Sequence, residues 1–152
     1  MLKKTKLMPS GETHKVIELI IGPFIFMGLL ICSLQKVIPL DWPFIAVAAL
    51  GYLVGTFFLS PDLDLFKSDG ISRWGPFRYI WWPYAQICAH RGISHSWLFG
   101  TLTRVGYLFL FVIPILFIHP PILSYWPFVL AFFIGCWSSN AIHLAADGHF
   151  RL

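Results

Sequence analysis

An all-α integral membrane bundle of about four transmembrane helices, with an interfacial loop between the second and third, is the fold class this chain predicts. Three observations carry it. The composition is 57% hydrophobic and only 12% charged, with a mean hydropathy of +0.73, which is far too apolar for an ordinary soluble domain. Four apolar segments reach or approach the ~20 residues a helix needs to cross a hydrocarbon core. Short stretches carrying proline or charge separate them.

The first helix is predicted over 16–34, behind the basic residues Lys3, Lys4, Lys6 and Lys15. A basic start before an apolar run also fits a secretory signal, but no small-residue cleavage site follows Leu34 and three more apolar segments come after it. Lys36, Pro39 and Asp41 mark a hairpin loop before the second helix, predicted over 43–59. The third helix is predicted over 97–118 and the fourth over 122–146, joined by His119-Pro120-Pro121, a stiff turn that a helix cannot cross. The stretch 60–96 holds most of the internal charge, interleaved with Trp74, Tyr79, Trp81, Trp82 and Tyr84. Such a loop is expected to lie along the membrane interface and to roof what lies beneath it. Residues 1–152 then form a single membrane domain, with no internal repeat and no low-complexity tract. Cys32, Cys88 and Cys136 show no Cys-x-x-Cys spacing, so neither a disulfide framework nor a thiolate zinc site is indicated.

Basic residues set the expected orientation. They gather before the first helix, in the long loop (Lys67, Arg73, Arg78, Arg91) and after the last helix (Arg151), whereas the other side carries only Lys36. By the positive-inside rule, both termini and the long loop are cytoplasmic. Arg104 lies about two turns into the third segment, where it either snorkels to that surface or points into the bundle.

Metal-type ligands fall at the same ends. His14 precedes the first helix, Asp62 and Asp64 follow the second, His90 and His95 precede the third, and His143 and Asp147 close the fourth. In an up-down-up-down bundle these points share the cytoplasmic face. Ionisable groups beside lipid are costly, so their repeated pairing there predicts a membrane-embedded metal site. His143 and Asp147 are four apart on one helix face, with Asn140 on the same stripe, and His14 and Glu18 repeat that spacing. Asp62 and Asp64 bind jointly if Pro61 holds the chain extended, because alternate residues of an extended segment point the same way. Mixed His and carboxylate donors suit zinc or manganese ahead of iron, and seven of them exceed the needs of one tetrahedral zinc, so one or two divalent ions are expected. Each pair alone has a plainer reading as a helix cap, a turn or a salt bridge. His119, on the opposite face beside two prolines, is read as a loop residue, and His149 as a spare ligand or tail.

The runs Met8-Pro-Ser-Gly-Glu-Thr-His14, Ser60-Pro-Asp-Leu-Asp-Leu65, Trp82-Pro-Tyr84 and His90-Arg-Gly-Ile-Ser-His-Ser96 together resemble an uncharacterised, largely cyanobacterial family of metal-binding membrane proteins. More distantly the chain is similar to the YdjM-type predicted membrane-bound metal-dependent hydrolases. The resemblance implies His14, Asp62, Asp64, His90, His95, His143 and Asp147 as metal-site residues and a bacterial membrane as the setting. Glu18 falls outside its pattern.

Carboxylate-bridged metals polarise phosphoryl or acyl oxygens and activate water at neutral pH, which is the equipment of phosphoesterases. The expected function is therefore hydrolysis of a phosphate or ester bond in a lipid-like substrate at the cytoplasmic face. Asp62 and Asp64 are the expected catalytic carboxylates, one as general base, and Arg78 and Arg91 the expected headgroup binders. Membrane lipid and an amphiphilic anionic substrate are the expected partners, with no nucleic acid. Neither a Gly-x-Ser-x-Gly elbow nor a P-loop is present. One alternative is a non-enzymatic scaffold or assembly factor in which ions clamp helix ends. The other is a desaturase-like di-iron oxidoreductase, because Ala89-His-Arg-Gly-Ile-Ser-His95 resembles the first histidine box of membrane di-iron desaturases, and it is disfavoured because the chain has no His-His pair.

Overall fold

Proline, glycine and short polar residues set the element boundaries in the computed structural model, which describes residues 11–65, 68–88, 96–118 and 124–147. Helix α1 (Gly11–Leu34) ends where Lys36 takes a left-handed conformation (φ 57°), and the amides of Lys36 and Val37 fold back onto the Ser33 and Cys32 carbonyls. Asp41 is extended and Pro43 occupies the first turn of α2 (Trp42–Phe58), a position where its missing N–H goes unneeded. Short pieces follow: a 3-10 turn over Pro61–Asp64, α3 (Asp69–Ser72) capped by the Ser68 hydroxyl, a 3-10 helix over Gly75–Ile80 and α4 (Trp81–Ile87). The long helices α5 (Phe99–Ile118) and α6 (Trp126–Asp147) complete the bundle. Among the described residues there is no strand.

Helix α1 starts at Gly11, ahead of the predicted start at 16, so His14 and Glu18 both lie inside it. The 3-10 turn changes a second expectation. Ser60, restricted by the following proline, is the extended residue (φ −62°, ψ 155°), while Pro61 opens the turn itself. At about three residues per turn, Asp62 and Asp64 do not share a face. Asp64 is buried and Asp62 only partly so.

The broadest helix contact is between α2 and α6, and glycine makes it possible. A Cβ on Gly135 would stand 1.9 Å from the Ala48 carbonyl oxygen, and one on Gly51 would stand 2.2 Å from that of Phe132. Backbones that close require hydrogen in place of a side chain. The Cys136 thiol, on the same seam, donates to the Gly51 carbonyl at 3.1 Å. Helix α1 docks on both partners, with Gly22 beneath the Tyr52 ring and the Tyr52 hydroxyl donating to the Glu18 carbonyl at 2.7 Å.

The segment expected to lie along an interface has one buried part and one exposed part. Trp81 is fully buried and packs on Trp74, Tyr84 and Tyr107 at centroid distances of 5.2, 5.5 and 5.6 Å, in a core with Leu59, Leu63, Ile71 and Cys136. Tyr107 donates to the Ile80 carbonyl and Trp74 Nε1 to that of Phe58, which ties the segment to α5 and α2. Phe77, Tyr79, Trp82 and Ile87 face outward.

Thr13–Leu34 and Trp126–Ala146 are long and apolar enough to cross a membrane, whereas Trp42–Phe58 and Phe99–Pro114 are apolar but shorter. Among the described residues, two candidate spans therefore stand where four were predicted. Helix α2 has 17 residues, short of the ~20 that a full crossing takes, and α5 carries Arg104 inside its apolar run.

Candidate metal centre

Four helices bring polar groups to one end of the bundle, and α6 is the element that joins them. Its last turns present Ser139, Asn140 and His143, all buried. His143 Nδ1 lies 2.8 Å from Glu18 Oε1 on α1, and Ser139 Oγ donates to Glu18 Oε2 at 2.8 Å. Thr56, in the last turn of α2, lies 3.0 Å from Ser139 Oγ. Because Ser139 has one hydroxyl proton and gives it to Glu18, Thr56 is the donor to Ser139. The chain Thr56 to Ser139 to Glu18 to His143 thus crosses α2, α6 and α1 with both carboxylate oxygens engaged.

With the Glu18 carboxylate as acceptor, His143 Nδ1 is the donor of this bond. Carboxylate–histidine pairs of this kind orient metal-binding imidazoles. The His14 ring lies 4.8 Å from that of His143, centroid to centroid, tilted by 38°. Two imidazoles sharing one tetrahedral ion through bonds of ~2.0–2.1 Å have centroids roughly 5 Å apart, so the donor chemistry and spacing of this pair fit a divalent ion. The expected His14–Glu18 pairing along α1 is replaced by a Glu18–His143 pairing across helices, and Glu18 becomes the orienting group.

Beside this pair sits a buried cation. Arg104, only 1% exposed, points into the bundle, its Nε donating to the Gly100 carbonyl at 2.8 Å and its Nη2 to Asn140 Oδ1 at 2.6 Å. Asn140 Nδ2 in turn donates to the Trp97 carbonyl at 3.0 Å. Asp64 and Asp62 lie within electrostatic reach of the guanidinium.

Among the described residues, no three His, Cys, Asp or Glu side chains gather closely enough to hold an ion. His90, Arg91 and His95 lie outside the described residues, as do Lys67, His119 and His149, and Asp147 is the last residue of α6. Arg78 stands on the exposed 3-10 helix, its guanidinium 5.0 Å from the Tyr79 ring centroid and its Nη2 donating to the Tyr79 hydroxyl at 3.1 Å. Glu18 and Arg104 are the residues that sequence reasoning undervalued. Their signal was present: each is a charge inside an otherwise apolar helix, which demands a buried partner.

The model of a family described as uncharacterized metal-binding protein (DUF2227) matches residues 9–124. An uncharacterized protein of Aquifex aeolicus (strain VF5) is 49% identical over 59 residues, which cover 39% of this chain and 42% of that protein, less than half of the relative's length. No solved structure matches the chain. The matched span includes His14, Glu18, Asp62, Asp64, His90, His95 and Arg104 and stops before α6, so Asn140, His143 and Asp147 rest on the geometry of this chain. The family description extends to metal binding and names no reaction, and neither match bears on cyanobacteria or on YdjM-type hydrolases.

Proposed function

The chain belongs to the uncharacterized metal-binding protein family (DUF2227), and from that premise we propose that it is a membrane-embedded divalent-metal protein acting as a hydrolase on a phosphate or ester bond of a lipid-like substrate. One observation carries the metal reading: two buried imidazoles, His14 and His143, stand at ligand spacing, and Glu18 holds one of them by its Nδ1. His90 and His95 are the donors that the sequence offers to complete the set, with Asp62, Asp64 and Asp147 as the carboxylates and zinc or manganese as the ion.

A bound divalent ion would supply Lewis-acid polarisation and water activation. The residues of the chain do the rest. Glu18, held by Ser139, orients the His143 imidazole by its bond to Nδ1. Asp62, the more accessible of the two aspartates, is the better placed to take a proton from water, and Asp64 is the buried one. Arg78 and Arg91 are the cations that the sequence offers to an anionic headgroup.

Membrane embedding is supported by the outer face of α1, where Val16, Ile20, Phe24, Met27 and Leu34 all lie more than half exposed. A continuous apolar stripe of that size is unfavourable in water. The orientation, with this polar end cytoplasmic, rests on the basic residues.

A second reading has its own support. His14, Glu18 and His143 are each at most 3% exposed, which suits an ion that clamps α1 to α6 as a structural element. Elemental analysis of the detergent-purified protein, followed by hydrolysis assays on phospholipid and polyprenyl-phosphate analogues in mixed micelles, separates the two. Metal present, with turnover abolished in Asp64→Asn, supports the hydrolase. Metal present, with no turnover and a melting temperature that drops on chelation, supports the clamp. Absence of metal in well-folded protein refutes both.

A further inference from the structure

A buried guanidinium with an unmet donor is the least expected feature of the bundle. Arg104 has its Nε and Nη2 bonded to Gly100 and Asn140, and Asn140 is itself bonded to the Trp97 carbonyl, which sets the direction of the fork. Among the described residues, Arg104 Nη1 has no hydrogen-bond partner, and neither has Thr101 Oγ1. Asp64 and Asp62 lie within electrostatic reach without taking Nη1. Thr101 and Arg104 are three residues apart on α5, hence on one helix face, and both are at most 3% exposed. They stand in the first two turns of a 20-residue helix, whose N-terminal end favours negative charge.

Leaving a charged donor desolvated and unpaired is strongly unfavourable, so such a group in a native fold calls for a missing partner. The missing partner must accept from a planar cationic N–H and from a hydroxyl at neighbouring points, and tetrahedral oxyanions do so best. Position adds to this. Asn140, which grips Arg104, lies three residues before His143 on the same face of α6, about 4.5 Å along the axis at 1.5 Å per residue.

We propose that Arg104 Nη1 and Thr101 Oγ1 form an oxyanion site that binds a phosphate group, either free or as a lipid headgroup. The proposal deepens the hydrolase reading by naming the residues that hold the anion of the substrate, and it can stand or fall without the metal. Arg78, on the exposed 3-10 helix, then serves capture, and Arg104 serves final placement.

The test is retention of radiolabelled inorganic phosphate by the detergent-purified full chain, with metal content measured on the same samples. Wild type should bind saturably. Arg104→Lys, which keeps the charge and loses the fork, should bind at least about tenfold more weakly. Thr101→Val should bind several-fold more weakly, and Lys15→Ala, which removes only a surface pair with Asp69, should bind like wild type. Displacement of phosphate by short-chain phosphatidic acid assigns the site to a lipid headgroup, and failure to displace it assigns the site to free phosphate. Wild-type affinity in both Arg104→Lys and Thr101→Val, or no retention of either ligand by wild type, overturns the proposal and leaves a buried water as the partner. If Arg104→Lys does not purify folded, Thr101→Val decides alone. Arg104-dependent binding in metal-free protein keeps the site while refuting the metal reading.

Discussion

The two halves of α6 make contacts of opposite chemistry. From Phe132 to Cys136 the helix meets α2 backbone to backbone, with Gly135 against Ala48 and Gly51 against Phe132. From Ser139 to His143 it meets α1, α2 and α5 through Glu18, Thr56 and Arg104, almost entirely by hydrogen bonds. Under the proposed membrane embedding, helices gain little from burying apolar side chains, and close van der Waals packing has to hold them together. The glycine half does that work, which leaves the polar half free to hold charges that stability alone would not select.

The largest expected effect breaks the glycine half. Alanine in place of helical glycine ordinarily adds up to ~1 kcal/mol of stability. Gly28→Ala should behave that way, because nothing stands within 4 Å of a Cβ there. Gly135→Ala should do the opposite, because its Cβ would lie 1.9 Å from one backbone oxygen and 2.7 Å from the Tyr52 nitrogen, neither of which can turn aside. The helices must separate, with a loss at or above ~3 kcal/mol. Thermal unfolding in detergent checks both variants. Equal melting temperatures would mean that the seam is not what holds α2 to α6.

Next in size is the polar half. His143→Ala and His14→Ala should each remove most of the bound metal while the melting temperature, measured after chelation, falls only modestly. His95→Ala should match them, and His119→Ala should keep wild-type stoichiometry. Elemental analysis of the four variants decides the ligand assignment. Full metal content in His143→Ala would leave the His14–His143 contact as ring packing alone.

How much of this was legible beforehand follows the physics of each region. The helical class was readable because apolar length and proline breaks are local properties. The convergence of His14 and His143 was readable from topology, since helix ends that alternate in direction must share a face. The partner of Glu18 was not: spacing along α1 pointed to His14, whereas the bond crosses to α6, and only packing fixes that. Asp62 and Asp64 were misjudged because the proline rule constrains the residue before it, so Ser60 is extended while the aspartates turn. The buried place of Trp81 beside exposed Trp82 was equally invisible, as composition alone assigns both to an interface. Glycine at 51, 55 and 135 carried a packing signal that reading for chemistry passed over.

Glu18→Gln sharpens the comparison at intermediate size. Glutamine keeps an acceptor for His143 Nδ1 and leaves the shape of the site unchanged, so the fold should survive. It removes the charge that makes the imidazole a stronger donor, and changes to such partners typically weaken metal binding ~10–100-fold. Calorimetric titration of zinc or manganese into chelated protein measures it. An affinity equal to wild type would show that Glu18 serves only the helix contact.

The smallest expected effect lies at the edge of the polar half, where Lys15 Nζ meets Asp69 Oδ2 at 3.3 Å and joins α1 to α3. Asp69 is 71% exposed by its side chain, so the pair sits in high dielectric and is screened by salt. Exposed pairs are typically worth about 0–1 kcal/mol. Lys15→Ala should therefore shift the melting temperature barely and should leave metal and phosphate binding as in wild type, even though Lys15 follows His14 directly. The reason is structural: α1 is held near its start by Glu18, through its carboxylate to His143 and Ser139 and its carbonyl to Tyr52, all of them buried. Should Lys15→Ala instead lower metal content as much as His14→Ala does, the surface pair and not the buried network would be what seats His14.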